Sequence, residues 1–488
     1  MLFTSLSFLV FLPICVFVFY STVDKYRSFT LLTGSVVFYS WINPLNLFFL
    51  LKVIVINYFF SLQIHSAKDS HQKKYLLILS ILLNFSSLLV VKYYSFITEN
   101  IAATLSIIGI SNPFPEFSFI IPIGLSFFSF QASGYTIDVY LGKIKPEKNI
   151  IIFSNYISFF PQLIAGPIER AKNLIPQIKS PKYLSYENMS IGFRLIVWGV
   201  FKKIVIADRL AILVNTVYND VENFSGMTLL IATLFFIFQI YCDFSAYTDI
   251  ARGAARLFGI VLIKNFDYPY ISKSITEYWK RWHISLTSWL TDYIYVPIAL
   301  NKRALGIFGI IQSMIITFLI SGLWHGAGWT FIIWGLIHGL VLSVEIGFKK
   351  LQFKTEAIPD IFKTFYVFFI LIISNIFFRA ISVNDAFVII QKIVLDIPIF
   401  VSLLLNEGIL MAWKFIKGVG IGMTSVEVIF SIFLIIGLEI VQMIYRFNKF
   451  KLFYFNNTPT RIISYFLILF FILFLGVFEE ESFIYFQF

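Results

Sequence analysis

The sequence predicts an all-α protein that crosses a membrane many times. Apolar residues (AVILMFWYC) make up 58% of the 488 positions and charged residues only 13%, where a soluble globular chain carries about 25%. Apolar runs bounded by charge or turn residues recur along nearly the whole length. No soluble core could hide that much apolar surface, so the bilayer must act as solvent for much of the chain. Cys15 and Cys242 are the only cysteines, which excludes a disulfide scaffold. The 38 basic residues against 27 acidic ones give a net charge of +11. In so apolar a chain that excess reads as cytoplasmic loop charge, not as a nucleic-acid surface.

The clearest runs are Leu2–Tyr20, Phe29–Ile42, Leu45–Ile64, Tyr75–Val91, Ile191–Val200, Leu229–Tyr241, Leu305–Leu323, Phe331–Ile346, Phe365–Phe378, Val426–Met443 and Ile462–Phe478. A spanning helix needs about 20 residues, so some of these draw on flanking amphipathic sequence or dip in without crossing, and roughly ten to twelve crossings are expected. Leu2–Tyr20 lacks a basic flank and further runs follow at once, so it is expected to remain as a first helix and not to be cleaved.

Orientation follows from the loops. Lys25 and Arg27 follow the first run, and Lys68, Lys73 and Lys74 follow the third, while Asn43-Pro44 after the second is uncharged. Basic loops stay inside, which puts the N-terminus outside. Arg446, Lys449, Lys451 and Arg461 precede the last run and Glu479–Glu481 follow it, which puts the C-terminus outside too.

Between about Lys143 and Arg303 charges and prolines thicken: Arg170, Lys172, Lys179 and Lys182, then Lys202, Lys203 and Arg209, then Lys273, Lys280 and Arg281. Polar groups at membrane depth survive only where protein or water surrounds them. The stretch reads as amphipathic and re-entrant helices packed around a cavity. No internal repeat or low-complexity linker divides the chain. A single membrane domain over 1–488 is expected, with N-terminal spans in 1–110, a core in 120–345 and C-terminal spans and an aromatic tail in 360–488.

His65 and His71 lie in a basic loop and read as solvated. His325, in Gly322-Leu323-Trp324-His325-Gly326, interrupts an apolar stretch from Leu305 to Val344. As one helix that stretch would extend about 60 Å, twice the hydrocarbon thickness. The chain must turn there, and Gly322, Gly326 and Gly328 offer the place. An imidazole flanked by glycines has room beside it for a substrate and a pKa suited to general-base work; a core histidine bonded to a carbonyl is the alternative. His338, beside Gly339, could lie near His325 across the turn or serve structure.

Ser274-Ile275-Thr276-Glu277 has the form of a capping box, and a helix is expected to run on to about Tyr295 before Pro297. It would carry Thr276, Lys280, His283, Thr287 and Thr291 on a polar stripe beside Trp282, Leu286, Trp289 and Tyr293. Such a helix could line a wet cavity with basic groups for a phosphate-bearing ligand, or lie at the interface. At the end of another apolar run stand Asp243 and Asp249, with Arg252 and Arg256 beyond. Asp243 reads either as a cavity residue or as an ion-pair partner. Cys242 has no activating partner in sequence. Walker, G-x-S-x-G and H-E-x-x-H motifs are missing, and the three later histidines lack metal-ligand spacing.

With these segments in place, the chain resembles the membrane-bound O-acyltransferase family, and within it the bacterial alginate O-acetyltransferase branch. The likeness is carried by Phe160-Pro161-Gln162-Leu163-Ile164-Ala165-Gly166-Pro167-Ile168, by Tyr241 to Gly259, Asn265 to Pro297 and Gly322 to Gly339, and by Phe483-Ile484-Tyr485-Phe486-Gln487-Phe488. Departures are Cys242 in place of an aromatic, Arg252 in a usually apolar segment, and Ala299-Leu300-Asn301 in place of a glycine pair.

The resemblance implies a ring of spanning helices around a tunnel. His325 would be the catalytic base and His283 the second polar position of the reaction path. It implies acetyl-CoA as donor substrate, with no permanent cofactor and no metal. The acceptor would be a hydroxyl of an extracytoplasmic polysaccharide, or of a periplasmic or membrane-anchored acetyltransferase partner on the way to it. Lys280 and Arg281 would meet the CoA phosphates, with Trp324, His338 and Asp243 lining the site. Within the family, D-alanine transfer to teichoic acid from a carrier protein is the alternative. Outside it, the alternatives are a proton-coupled transporter, which should show inverted repeats, and a subunit of a polysaccharide export complex.

Overall fold

The computed structural model describes the chain except residues 42, 116, 118, 120, 353–356, 418–419, 447–456, 479–482 and 487–488. Every element assigned among the described residues is helical, as expected where lipid leaves backbone groups no partner but their own helix. Nine of these helices are long and apolar enough to cross a membrane, and Leu6–Ser21 is a shorter apolar one. Ile42, Lys449, Lys451, Glu479–Glu481, Gln487 and Phe488, used above for runs, sidedness and the tail, lie outside the described residues.

The chain forms two compact units, each drawn from separated stretches. The first comprises Met1–Ile196, Tyr247–Asn265 and Ser285–Pro297. Its core is aromatic. Phe160, on the short turn Phe160–Leu163, meets Phe11 and Phe38 at 5.3 Å each and Phe258 at 5.7 Å, while Phe3 meets Tyr247 at 5.6 Å. Its spans Asn46–Ser66 and Ser70–Val91 and the helix Leu125–Tyr140 are joined by buried amides. Asn57 Nδ2 donates to Asn84 Oδ1 (3.0 Å), Thr136 Oγ1 donates to Asn57 Oδ1 (2.8 Å) and Asn84 Nδ2 donates to the Ser129 carbonyl (2.9 Å).

The second unit comprises Val197–Ala246, Phe266–Ile284 and Ile298–Phe488. The apolar stretch 305–344 turns where the glycines predict. One helix runs Ile307–His325, Gly326 and Gly328 are extended, and the next runs Trp329–Lys350. The two pack closely because their contact residues are small. A Cβ on Gly322 would stand 2.2 Å from the Phe331 carbonyl oxygen, and one on Gly335 would stand 2.3 Å from that of Phe318. Glycine at both points lets dispersion between backbones hold a pair that lipid does not push together.

Two expectations need correction. The span Val383–Asn406 is absent from the apolar runs because Asp385, Lys392 and Asp396 interrupt it. Each is engaged: Asp385 caps its own helix with Ser382, while Lys392 donates to the Val221 carbonyl (3.0 Å) and Asp396 accepts from the Gly226 amide (2.6 Å), both about 170 positions away. The helix expected from Ile275 to about Tyr295 is broken. It stops at Arg281, resumes at Ile284 and becomes a π-helix over Thr291–Tyr295. Competing partners explain the break. The Arg281 carbonyl accepts from the Asp267 amide (2.9 Å), and the Ser285 amide donates to Asn265 Oδ1 (3.1 Å) instead of continuing the ladder. A single polar stripe over Thr276, Lys280, His283, Thr287 and Thr291 therefore does not form.

Candidate active site

His325 ends its helix, so its ring projects beside the extended glycines and not into a continuing turn. It is buried among aromatic rings that include Trp324 and Trp334 at 4.9 Å, Phe378 at 5.2 Å and Tyr485 at 5.6 Å between centroids. The walls come from three helices and from the short turn Ile484–Phe486. An aromatic surround of low polarity strengthens the electrostatic interactions made inside it.

His283 sits at the break described above with φ +43°, a left-handed conformation that few non-glycine residues adopt. The break turns its ring against Phe244 (4.6 Å) and toward Trp324 (5.9 Å). Trp324 is thus the neighbour common to His283 and His325. Burial pushes the His283 imidazole down to about 3, so it stays neutral through the physiological range.

His338 lies one helix turn past Trp334. Its Nδ1 accepts from Trp279 Nε1 (3.3 Å), and its ring packs on Trp334 (4.9 Å), the same indole that packs on His325. The hydrogen bond ties Ile275–Arg281 to Trp329–Lys350. Glu345 ties them again, its carboxylate accepting from the amides of Ile275 (2.7 Å) and Thr276 (2.8 Å). Ser274 Oγ accepts from Glu277 N as the capping pattern predicts, whereas the Glu277 carboxylate accepts from Lys273 N, one residue earlier than a full box requires.

Lys280 is exposed, while Arg281 is half-buried and bonded to Glu277 (2.8 Å) and Asp267 (3.3 Å). Asp243 is buried and ion-paired. One carboxylate oxygen lies 3.0 Å from Lys203 Nζ, which also meets Asp208 at 2.7 Å, and the other accepts from the Ile484 amide at 2.8 Å. Both lysines of the pair Lys202-Lys203 are buried because this stretch, Phe201–Ala207, is π-helical; Lys202 Nζ donates to Ser245 Oγ (2.8 Å). Among the described residues no three His, Cys, Asp or Glu side chains gather as a metal site.

Sequence reasoning missed Trp334, Phe378, Lys203 and Tyr485 as neighbours of this cluster. For Tyr485 the signal was present in the aromatic tail, but nothing in its spacing shows where the tail docks. For Lys203 the π-helical turn has no signature that apolar periodicity registers.

Many apolar helices and a histidine sunk among aromatic rings, bordered by a buried ion pair, define a multi-pass membrane protein with an enclosed polar centre. Comparison with known proteins gives its class. The chain matches the membrane-bound O-acyltransferase family over residues 29–384. It is 35% identical over 393 residues to the probable alginate O-acetylase AlgI of Azotobacter vinelandii, covering 79% of this chain and 76% of that one. It is 33% identical over 403 residues to the peptidoglycan O-acetyltransferase of Helicobacter pylori, covering 77% and 75%. More distantly, it is 25% identical over 266 residues to the teichoic acid D-alanyltransferase of Bacillus subtilis, covering 50% and 64%. The chain belongs to the membrane-bound O-acyltransferase family and is an acyltransferase.

Proposed function

We propose that this enzyme moves an acetyl group from acetyl-CoA to a hydroxyl of a cell-envelope polysaccharide, directly or through a hydroxyl on an acetyltransferase partner outside the membrane. The observation that carries the reading is the placement of His325 at a helix end, beside glycine backbone and among aromatic rings. The relatives named for O-acetylation of alginate and peptidoglycan, matched over most of both chains, favour acetyl over other acyl groups.

In this reading the His325 imidazole takes the proton of the acceptor hydroxyl as its oxygen attacks the thioester carbonyl. The carbon–sulfur bond breaks, and CoA leaves with that proton on sulfur. His283, neutral and against Trp324, orients the thioester or the acceptor by hydrogen bonding. Lys280, being exposed, is the group for the CoA phosphates; Arg281 is already shared with Glu277 and Asp267 and would assist through charge alone. His338 acts at one remove, by holding Trp279 and Trp334. Acetyl-CoA is polyanionic and cytosolic and the polymer lies outside, so a passage reaching His325 from both faces lets the acetyl group cross without its carrier. Both termini outside and the bacterial inner membrane belong to this proposal, as does a single functional domain over 1–488.

The test is purified protein in lipid nanodiscs with radiolabelled acetyl-CoA and candidate polymers. His325→Ala should lower transfer by about 10²–10⁴-fold, the usual worth of a positioned base, with an unchanged elution profile. Normal transfer in that variant would refute the role. Label transferred from a D-alanyl carrier protein but not from acetyl-CoA would move the enzyme to the teichoic-acid branch.

A further inference from the structure

The end of the span Thr458–Leu475 and the residues described beyond it are held at three points, two on the stretch Ile204–Arg209 and one at Asp243. The Leu475 carbonyl accepts from Arg209 Nη2 (2.6 Å), the Val477 amide donates to the Ile204 carbonyl (2.8 Å), and the Ile484 amide donates to Asp243 (2.8 Å). Ile204 lies within the π-helical turn Phe201–Ala207 that carries Lys203, Arg209 lies two residues past it, and Lys203 is gripped from two sides by Asp208 and Asp243. Phe483 is fully buried, stacks on Tyr485 at 5.5 Å and meets Phe244 at 5.8 Å. One residue beyond the Asp243 contact, Tyr485 meets Phe244 (4.5 Å) and His325 (5.6 Å).

A buried lysine–carboxylate cluster is expensive to desolvate and is weak evidence for stability as such. Here the Asp243 carboxylate divides its two oxygens between an ammonium and a backbone amide. The amide belongs to the residue next to the one that walls His325. Fixing that amide fixes where the Tyr485 ring stands.

We propose that the buried Lys203–Asp243 pair is the seat for the segment Phe483–Phe486, and that Asp243 is a positioning residue which holds Tyr485 against His325 through the Ile484 amide. This rests on His325 being the site of acyl transfer. It departs from the expectation that Asp243 contacts substrate.

Two variants of the full chain separate the contributions. Asp243→Ala removes the acceptor; Ile484→Pro removes the donated N–H while leaving both members of the Lys203–Asp243 pair in place, and Ile484→Val, which keeps the N–H, controls for the trimmed side chain. In nanodiscs, both should speed hydrogen exchange of the Val477 and Phe486 amides by about tenfold or more, the worth of a charge-assisted hydrogen bond. Both should lower kcat for acetyl transfer by a similar factor with KM for acetyl-CoA unchanged, a split that general destabilisation would not produce. Unchanged exchange in Ile484→Pro overturns the seat. Faster exchange with undiminished kcat overturns the positioning role. The exchange measurement needs no turnover, so a wild-type chain that transfers no acetyl group counts against the proposed reaction alone.

Discussion

Each unit buries a cluster of polar side chains, and the two clusters differ in kind. In the first unit Asn57, Asn84 and Thr136 are fully buried and neutral, and their hydrogen bonds run among themselves and to backbone carbonyls. In the second unit the cluster around His325 is made of imidazoles, a lysine pair and carboxylates, set among aromatic rings. A polar residue at membrane depth is thus no functional signal by itself. Neutral amides closed on one another are glue between helices, whereas titratable groups gathered at a helix break make a centre where protons and charge can be handled.

The largest test of this difference is His325→Ala against Asn57→Ala, measured as acetyl transfer per correctly folded molecule. The first should lose about 10²–10⁴-fold and the second should keep its activity; equal losses would erase the distinction. Next in size is the helix pair that presents His325. Gly322→Val would drive side-chain atoms into the Phe331 carbonyl, and overpacking of this kind costs about 1–3 kcal/mol or more. It should appear as a lower unfolding temperature and a transfer defect together.

His283→Gln is expected to lower kcat by a smaller factor than His325→Ala, since a neutral hydrogen-bonding group is replaced by another. It also has a pH signature. The unfolded chain binds a proton at His283 near pH 6.5, and the folded chain refuses it until about 3. Between those values the unfolded state binds more protons, so folding stability falls as pH drops below about 6.5. Thermal unfolding of His283→Gln between pH 6.5 and 4 should fall less steeply than that of the wild type; parallel slopes would remove His283 from the account. The smallest effect is on the amide side. Asn57→Ala should lower stability by about 0.6–2 kcal/mol, the range for interhelical polar contacts in membranes, without any dependence on pH between 5 and 8.

Much of the site was readable before any coordinates. The glycines around His325 require a turn, because about 40 apolar residues overshoot the bilayer as one helix, and the turn stands there. His283 was legible as a candidate, but its surroundings were not. Ser274 and Glu277 argued for one long helix, and the break follows from partners far along the chain, Asp267 and Asn265. The span Val383–Asn406 was hidden by three charges, one a local cap and two with partners far away in the sequence.

By itself the amino-acid order determined what solvent surrounds the chain, that its elements are helices, where one long apolar stretch must fold back and which imidazole stands at the fold. Hydropathy and helix length are local sums, and local sums suffice for those. Only the tertiary structure decided that Trp324 neighbours two histidines, that Lys203 and Asp243 meet, and that Tyr485 arrives beside His325 from 160 positions away. Those meetings depend on close-packed side chains and hydrogen bonds between distant segments, and neither leaves a period in the sequence.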